Sequence, residues 1–172
     1  MGRRVLLVEG PSDVNAVTAL ADVLRVDLAD VEVVDMGGIT NLRRHLADLS
    51  DDDGVGVLYD AGEVGHVAGV IAVADRDVTR FECVLDLEDE LIRALGVPRV
   101  VEVVERGGDL AAWQTISRQP FHRDRPADQV MRRFFGAGSG RKKKYAGLLA
   151  AALPPSDVPE PLVAAIEWVT GE

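Results

Sequence analysis

The chain has 172 residues, a net charge of −10, and 47% hydrophobic and 28% charged residues, ordinary values for a globular domain that exclude a disordered or fibrous architecture. A single cysteine, Cys83, excludes an intramolecular disulfide and a cysteine-built zinc cluster. No apolar run approaches the ~20 residues of a membrane span, and the opening reaches Glu9 after four apolar residues, so a soluble, reduced, cytoplasmic protein is expected.

In chain order, Val5-Leu6-Leu7-Val8 is a short continuous apolar run, as a parallel strand buried on both faces requires. Gly10-Pro11-Ser12 punctuates it, and Val14, Val17, Ala21 and Leu24 recur at helical spacing, predicting a helix at about 12–25. A second strand is expected at 31–34. Gly37-Gly38 then turns into a helix carrying Leu42, Leu46 and Leu49. A third strand at 55–59 ends in Asp60, a third helix covers 63–74, and a fourth strand is expected at 81–85. Beyond it the pattern predicts helices at 87–95, 108–118, 126–135, 142–152 and 160–169, with a strand at 99–104. The glycine-rich stretch 136–140 has no strand before it and reads as an inter-helix turn rather than a phosphate loop. Trp113 and Trp168 read as anchors that dock tail helices.

Alternating strands and helices imply an α/β fold: a parallel sheet of about four strands with right-handed crossovers, flanked by helices. Residues 1–97 form the expected core, and 98–172 a C-terminal helical extension packed on it as a single compact unit.

Charge is unevenly spread. Residues 1–116 hold ten basic and 23 acidic residues, whereas 117–145 hold nine basic and two acidic. A cationic segment beside an acidic domain suits phosphates on one side and divalent cations on the other. In an open parallel sheet, ligands bind outside the carboxyl ends of the strands. There Glu9 ends strand one, Asp13 lies in the next turn, Asp60 ends strand three, and Asp86 and Glu88 follow strand four. Carboxylates gathered in a cleft repel one another, and a hard, oxygen-binding cation relieves the repulsion. Asp13 by itself reads as a capping acid of the first helix. Walker-type phosphate loops, dinucleotide fingerprints and zinc-protease motifs are lacking. His45, His66 and His122 are scattered and read as surface or partly packed side chains, and Cys83 as a buried small hydrophobe.

The set Val8-Glu9-Gly10-Pro11-Ser12-Asp13, Gly37-Gly38 and Leu58-Tyr59-Asp60 resembles the Toprim domain of topoisomerases, bacterial primases and several nucleases. Leu85-Asp86-Leu87-Glu88-Asp89-Glu90-Leu91 and Arg141-Lys142-Lys143-Lys144-Tyr145-Ala146 look like the overcoming-lysogenization-defect (OLD) nucleases in particular, and the resemblance runs over about 3–153. It implies a Toprim, Rossmann-like fold and Mg²⁺- or Mn²⁺-dependent phosphodiester cleavage, with DNA as the preferred substrate. Two ions would be held by Glu9, Asp13 and Asp60 and by Glu88 with Asp86, and Glu63 would partly replace a family aspartate whose position here is Gly62. Glu9 and one lysine of Lys142, Lys143 and Lys144 would act in catalysis, Lys143 being an even-handed choice. Arg118, Arg123, Arg125, Arg132, Arg133 and Arg141 would contact the nucleic-acid backbone through charge, giving salt-dependent affinity with little sequence preference. Arg132 and Arg133 neighbour Phe134 and Phe135, so a docking role inside the fold is an equal reading for that face.

The family pattern sets an ATPase domain ahead of this module. Nothing in the 172 residues corresponds to it, so a separate ATPase protein is an allowed partner. The Gly62 departure supports an alternative, a non-catalytic Toprim module that binds nucleic acid or such an ATPase. A phospho-receiver domain also ends strand three in an aspartate. It requires, however, adjacent acids directly after strand one and a hydroxyl residue after strand four, where this chain has Leu85-Asp86-Leu87-Glu88.

Overall fold

The computed structural model describes residues 2–137 and 140–171. Of the glycine-rich turn, Gly138 and Ser139 lie outside the described residues. Four strands, β1 (Arg4–Val8), β2 (Glu32–Asp35), β3 (Gly54–Tyr59) and β4 (Val78–Glu82), form one all-parallel sheet in the order β2-β1-β3-β4. The connections are α1 (Pro11–Leu24), α2 (Leu42–Asp48) and α3 (Val64–Val73). The chain leaves β1 toward β2 and then returns to place β3 on the other flank of β1. The gap between β1 and β3 is thus the switch point of the sheet, where a ligand crevice opens at the strands' carboxyl ends.

Side chains alternate between two buried faces. Leu6, Val8, Leu58 and Phe81 face a core shared with α1 and the helices that follow β4. Val5, Leu7, Val55, Val57 and Tyr59 face α2 and α3. Six more helices follow: α4 (Leu87–Leu95), α5 (Val97–Arg106), α6 (Leu110–Ser117), α7 (Ala127–Gly136), α8 (Arg141–Ala151) and α9 (Glu160–Thr170). α8 lies along α1, burying Tyr145, Ala146, Leu149 and Ala150 beside Ala16, Val17 and Leu20. α9 roofs β1, β3 and β4. Its Trp168 stacks at 5.9 Å on Phe81 and lies against Gly56, where a Cβ would come within 2.7 Å of the indole ring. Trp113 of α6 packs edge-on at 5.6 Å to Phe134 of α7. Both tryptophans dock helices, as their placement in the sequence implied.

Two expectations are corrected. The strand expected at 99–104 is the helix α5. Pro98 opens its first turn, and Val100, Val103 and Val104 fall on one buried side, the helical spacing. The fourth strand runs earlier than 81–85: it starts at Val78 and its ladder stops at Glu82, leaving Val84 and Leu85 63% and 50% exposed in the following loop.

Candidate metal and nucleic-acid site

The carboxylates rise from the strand ends. Glu9 directly follows β1 and Asp60 directly follows β3, and the two are joined where the Asp60 backbone N–H donates to Glu9 Oε1 at 3.2 Å. The Glu9 carbonyl also accepts from Gly38 N–H at 2.8 Å, so the Gly37-Gly38 turn, with φ of 67° and 115°, props the same corner. Asp13 fills two roles. Its Oδ2 accepts the Gly10 N–H at 2.8 Å, closing the first turn of α1 as its capping reading required, and it remains within electrostatic range of Glu9, Glu88 and Lys142.

The first turn of α4 supplies the other acids. Asp86 caps the helix, accepting from Asp89 N–H at 2.8 Å, and its second oxygen pairs with Arg132 of α7. Glu88, Asp89 and Glu90 are all buried, an expensive arrangement that each offsets differently. Asp89 and Glu90 take Arg93 at 2.8 and 2.6 Å, and Glu90 also accepts Val84 N–H at 2.6 Å. Glu88 pairs with Lys142 of α8 through Oε2 at 3.3 Å, while its Oε1 is buried with no partner. Glu90 and Arg93 thus brace the turn away from the cleft, while Glu88 and Asp89 line it.

Burial sets the titration of this group. It pushes Asp60 up to about 7, with Glu9, Asp86 and Asp13 adding like-charge repulsion. It pushes Asp13 up to about 6, and Glu88 and Glu9 add to the rise. Glu88 is raised by burial and by Asp86, although Lys142 opposes the shift. Burial pulls the other way on Lys142, but Glu88, Asp13 and Asp60 hold its ammonium above the ordinary lysine value. Carboxylates that resist ionising beside a buried orphan oxygen are a hard-donor set short of positive charge, and a divalent cation fits it. Among the described residues, however, no three His, Cys, Asp or Glu side chains are grouped so that they could hold an ion as they stand. The Lys142 ammonium supplies positive charge to Glu88, Asp13 and Asp60 together.

The three lysines separate in the structure. Lys144 donates to Asp109 Oδ2 at 2.9 Å and to the Gly107 carbonyl at 2.6 Å, on the far side of α8. Lys143 is exposed, and only its backbone carbonyl is engaged, by Asn15 at 3.1 Å. Lys142 alone reaches the acids. Arg141 lies 4.3 Å over the Phe134 ring and donates to the Phe134 carbonyl at 3.0 Å. Four cations in the first turn of a helix oppose its dipole, a local rule broken at the place where a function would need it. Glu63 is half-buried at the start of α3, and the leading charges on Asp60 are Glu9, Asp86, Asp13 and Lys142. Gly62 beside it has open space around a hypothetical Cβ.

Between α4 and α7 lies a cleft of about 480 Å³ lined by Asp86, Glu88, Lys142, Arg125, Arg132 and Arg133 among others. It joins the acids to the basic face of α7. Arg118 and Arg123 lie farther along, at a separate cleft that Arg125 also borders.

Residues 1–53, which carry Glu9 and Asp13, match the family described as overcoming lysogenization defect protein-like, TOPRIM domain. Over the whole fold the chain is similar to the C-terminal region of the Burkholderia pseudomallei OLD protein, with a TM-score of 0.70 and 18% identity, covering 98% of this chain and 97% of that one. It is also similar to the C-terminal region of the Xanthomonas campestris pv. campestris OLD protein, with a TM-score of 0.61 and 22% identity over 99% and 95%. Curated proteins give no sequence match. No helix among the described residues is long and apolar enough to cross a membrane. The chain therefore has the fold of the C-terminal regions of OLD proteins, and its opening third resembles their Toprim module in sequence.

Proposed function

We propose that this chain is a metal-dependent nuclease module that cleaves phosphodiester bonds in nucleic acid, with DNA as the preferred substrate. One observation supports the reading: Glu9, Asp13, Asp60, Asp86 and Glu88, from three separate stretches of chain, lie within electrostatic range of one another and of Lys142 at the carboxyl ends of the strands. Glu9, Asp13 and Asp60 would hold one Mg²⁺ or Mn²⁺, and Glu88 with Asp86 a second. Such ions, when bound, activate water and neutralise phosphoryl charge. The protein's own groups do the rest. Asp60 and Asp13 give up the protons that burial makes them keep, Glu9 fixes the Asp60 backbone, and Lys142 faces developing negative charge in the cleft. Arg125 and Arg133 hold the phosphate backbone beside it.

Supercoiled plasmid incubated with Mg²⁺ or Mn²⁺ tests the proposal. Nicking by the protein that disappears in Glu9→Ala supports it. The second reading, a non-catalytic module binding nucleic acid or a separate ATPase, is favoured by Gly62 and by the lack of a ready three-acid cage among the described residues. Equal background in both proteins, together with salt-sensitive DNA binding, would select it.

A further inference from the structure

A second basic cleft, of about 370 Å³, lies between α6 and α7. Trp113 and Val130 floor it, and Arg118, His122, Arg123 and Arg125 line it with no carboxylate among the lining residues. Arg118 and Arg123 have no ion-pair partner among the described residues, unlike Arg132 and Lys142 next door. His122 is 92% buried in a short 3-10 turn (Pro120–His122), and its Nδ1 is shielded from water with no hydrogen-bond partner. A buried ring nitrogen left unpaired is costly. The His122 ring lines a cleft whose other polar side chains are three guanidiniums and the Ser117 hydroxyl.

Neighbouring contacts hold the cations in place. Phe121 is 60% exposed, and the Arg125 guanidinium lies 4.2 Å over its ring while Arg125 Nε donates to the Phe121 carbonyl at 3.3 Å. Arg133 lies 5.2 Å over the same ring. Cation–π contact and a backbone hydrogen bond restrict a side chain that would otherwise lose more freedom on binding. Three guanidiniums and an imidazole around one small cleft match a doubly charged phosphate monoester better than the singly charged diesters of a continuous backbone.

The geometry points to this cleft as a seat for the terminal phosphate of a nucleic-acid strand, whose first nucleotides then pass along α7 into the carboxylate cleft. Arg125 borders both clefts, so the two are contiguous. The inference rests on the nucleic-acid reading above and adds the recognition of strand ends to it.

The test is fluorescence anisotropy with short oligonucleotides in EDTA, which keeps the readout independent of cleavage. Otherwise identical strands carry a 5′-phosphate, a 3′-phosphate or neither. A phosphorylated end, at whichever terminus, is expected to bind roughly tenfold tighter, the size of about one charge-assisted hydrogen bond. Arg118→Ala with Arg123→Ala, two exposed positions that leave the core intact, should bring both ends down to the unphosphorylated affinity. His122→Gln, which keeps a polar side chain, should lose part of the preference. Equal binding of all three strands overturns the proposal, as does a preference that survives in the double variant. Plasmid nicking that persists alongside equal binding would remove the end-seat and leave the nuclease reading standing.

Discussion

Lys142 of α8 and Glu88 of α4 meet at 3.3 Å across the cleft, placing an ammonium where the carboxylates at the sheet edge most need positive charge. The pair is half-exposed on the lysine side, so its direct contribution to stability is small, within ~1 kcal/mol. Its chemical consequence is larger. Lys142→Ala is expected to lower plasmid nicking about 10²–10³-fold, the loss seen when one charge-stabilising group is removed. The same variant should bind Mn²⁺ at least as tightly, because a competing cation has gone. Lys144→Ala, which leaves Asp109 with Tyr145 and Arg141, should cost at most ~1 kcal/mol of stability while nicking continues. Nicking rates and Mn²⁺ titrations of the two variants separate these outcomes.

Proton linkage at Asp60 and Asp13 has a definite sign. Both are raised in the folded protein, to about 7 and about 6, chiefly by burial and then by like-charged neighbours. Between pH ~4 and ~7 the folded state therefore keeps protons that the unfolded chain has released, and stability falls as pH rises through that window. Above ~7 this contribution levels off. In EDTA, Asp60→Asn should flatten the upper part of the fall and raise Tm at pH 8 by about 2–4 °C, the change that ~1 kcal/mol makes in a domain of this size. Saturating Mn²⁺ should raise the Tm of the parent protein and do so less in the variant. An unchanged Mn²⁺ shift would remove Asp60 from the ligand set.

Gly62→Asp introduces a carboxylate where the structure has room for a Cβ. Tighter Mn²⁺ binding by calorimetry, roughly fivefold or more, is the expected result, since each added carboxylate raises affinity for a hard divalent ion. No gain would place position 62 outside the site.

Gly56→Ala tests the packing of the sheet's roof. A Cβ there would lie 2.7 and 2.9 Å from the Trp168 ring and 3.0 Å from Phe81, and a fused indole yields little. Overpacking of this kind typically costs 1–3 kcal/mol. Tm should drop by several degrees in thermal melts, and Trp168→Leu in the same background should recover part of the loss.

The two inner strands, β1 and β3, and the acids at their ends are legible directly in the sequence, because a strand buried on both faces is a continuous apolar run and the first charged residue after it marks the sheet edge. The sequence alone therefore sets Glu9 and Asp60 at the same edge of the sheet. Three features resisted. α5 is rich in valine, which favours strands by composition, and only the spacing of Val100, Val103 and Val104 reveals the helix. β4 is an edge strand whose apolar run continues past its ladder, so composition placed it too late. Among three consecutive lysines each residue turns by about 100°, and which one faces the acids depends on where α8 begins, at Arg141 after the Gly140 cap. His122 was read as a scattered side chain, and no sequence signal would have marked its buried nitrogen. Only the fold of the turn around it does so.

Trp168 and Arg4 make the roof over β1 a contact between residues 164 positions apart: the Arg4 guanidinium donates to the Trp168 carbonyl and stacks 5.7 Å from its ring. The face of β1 that leads to Glu9 is thus covered in part by a helix more than 150 positions later in the sequence. Without α9, the side of the sheet that Leu6 and Val8 share with α1 would be only partly covered. Shortening the polypeptide before α9 would leave the metal-ligand residues present in sequence yet mounted on a sheet prone to self-association.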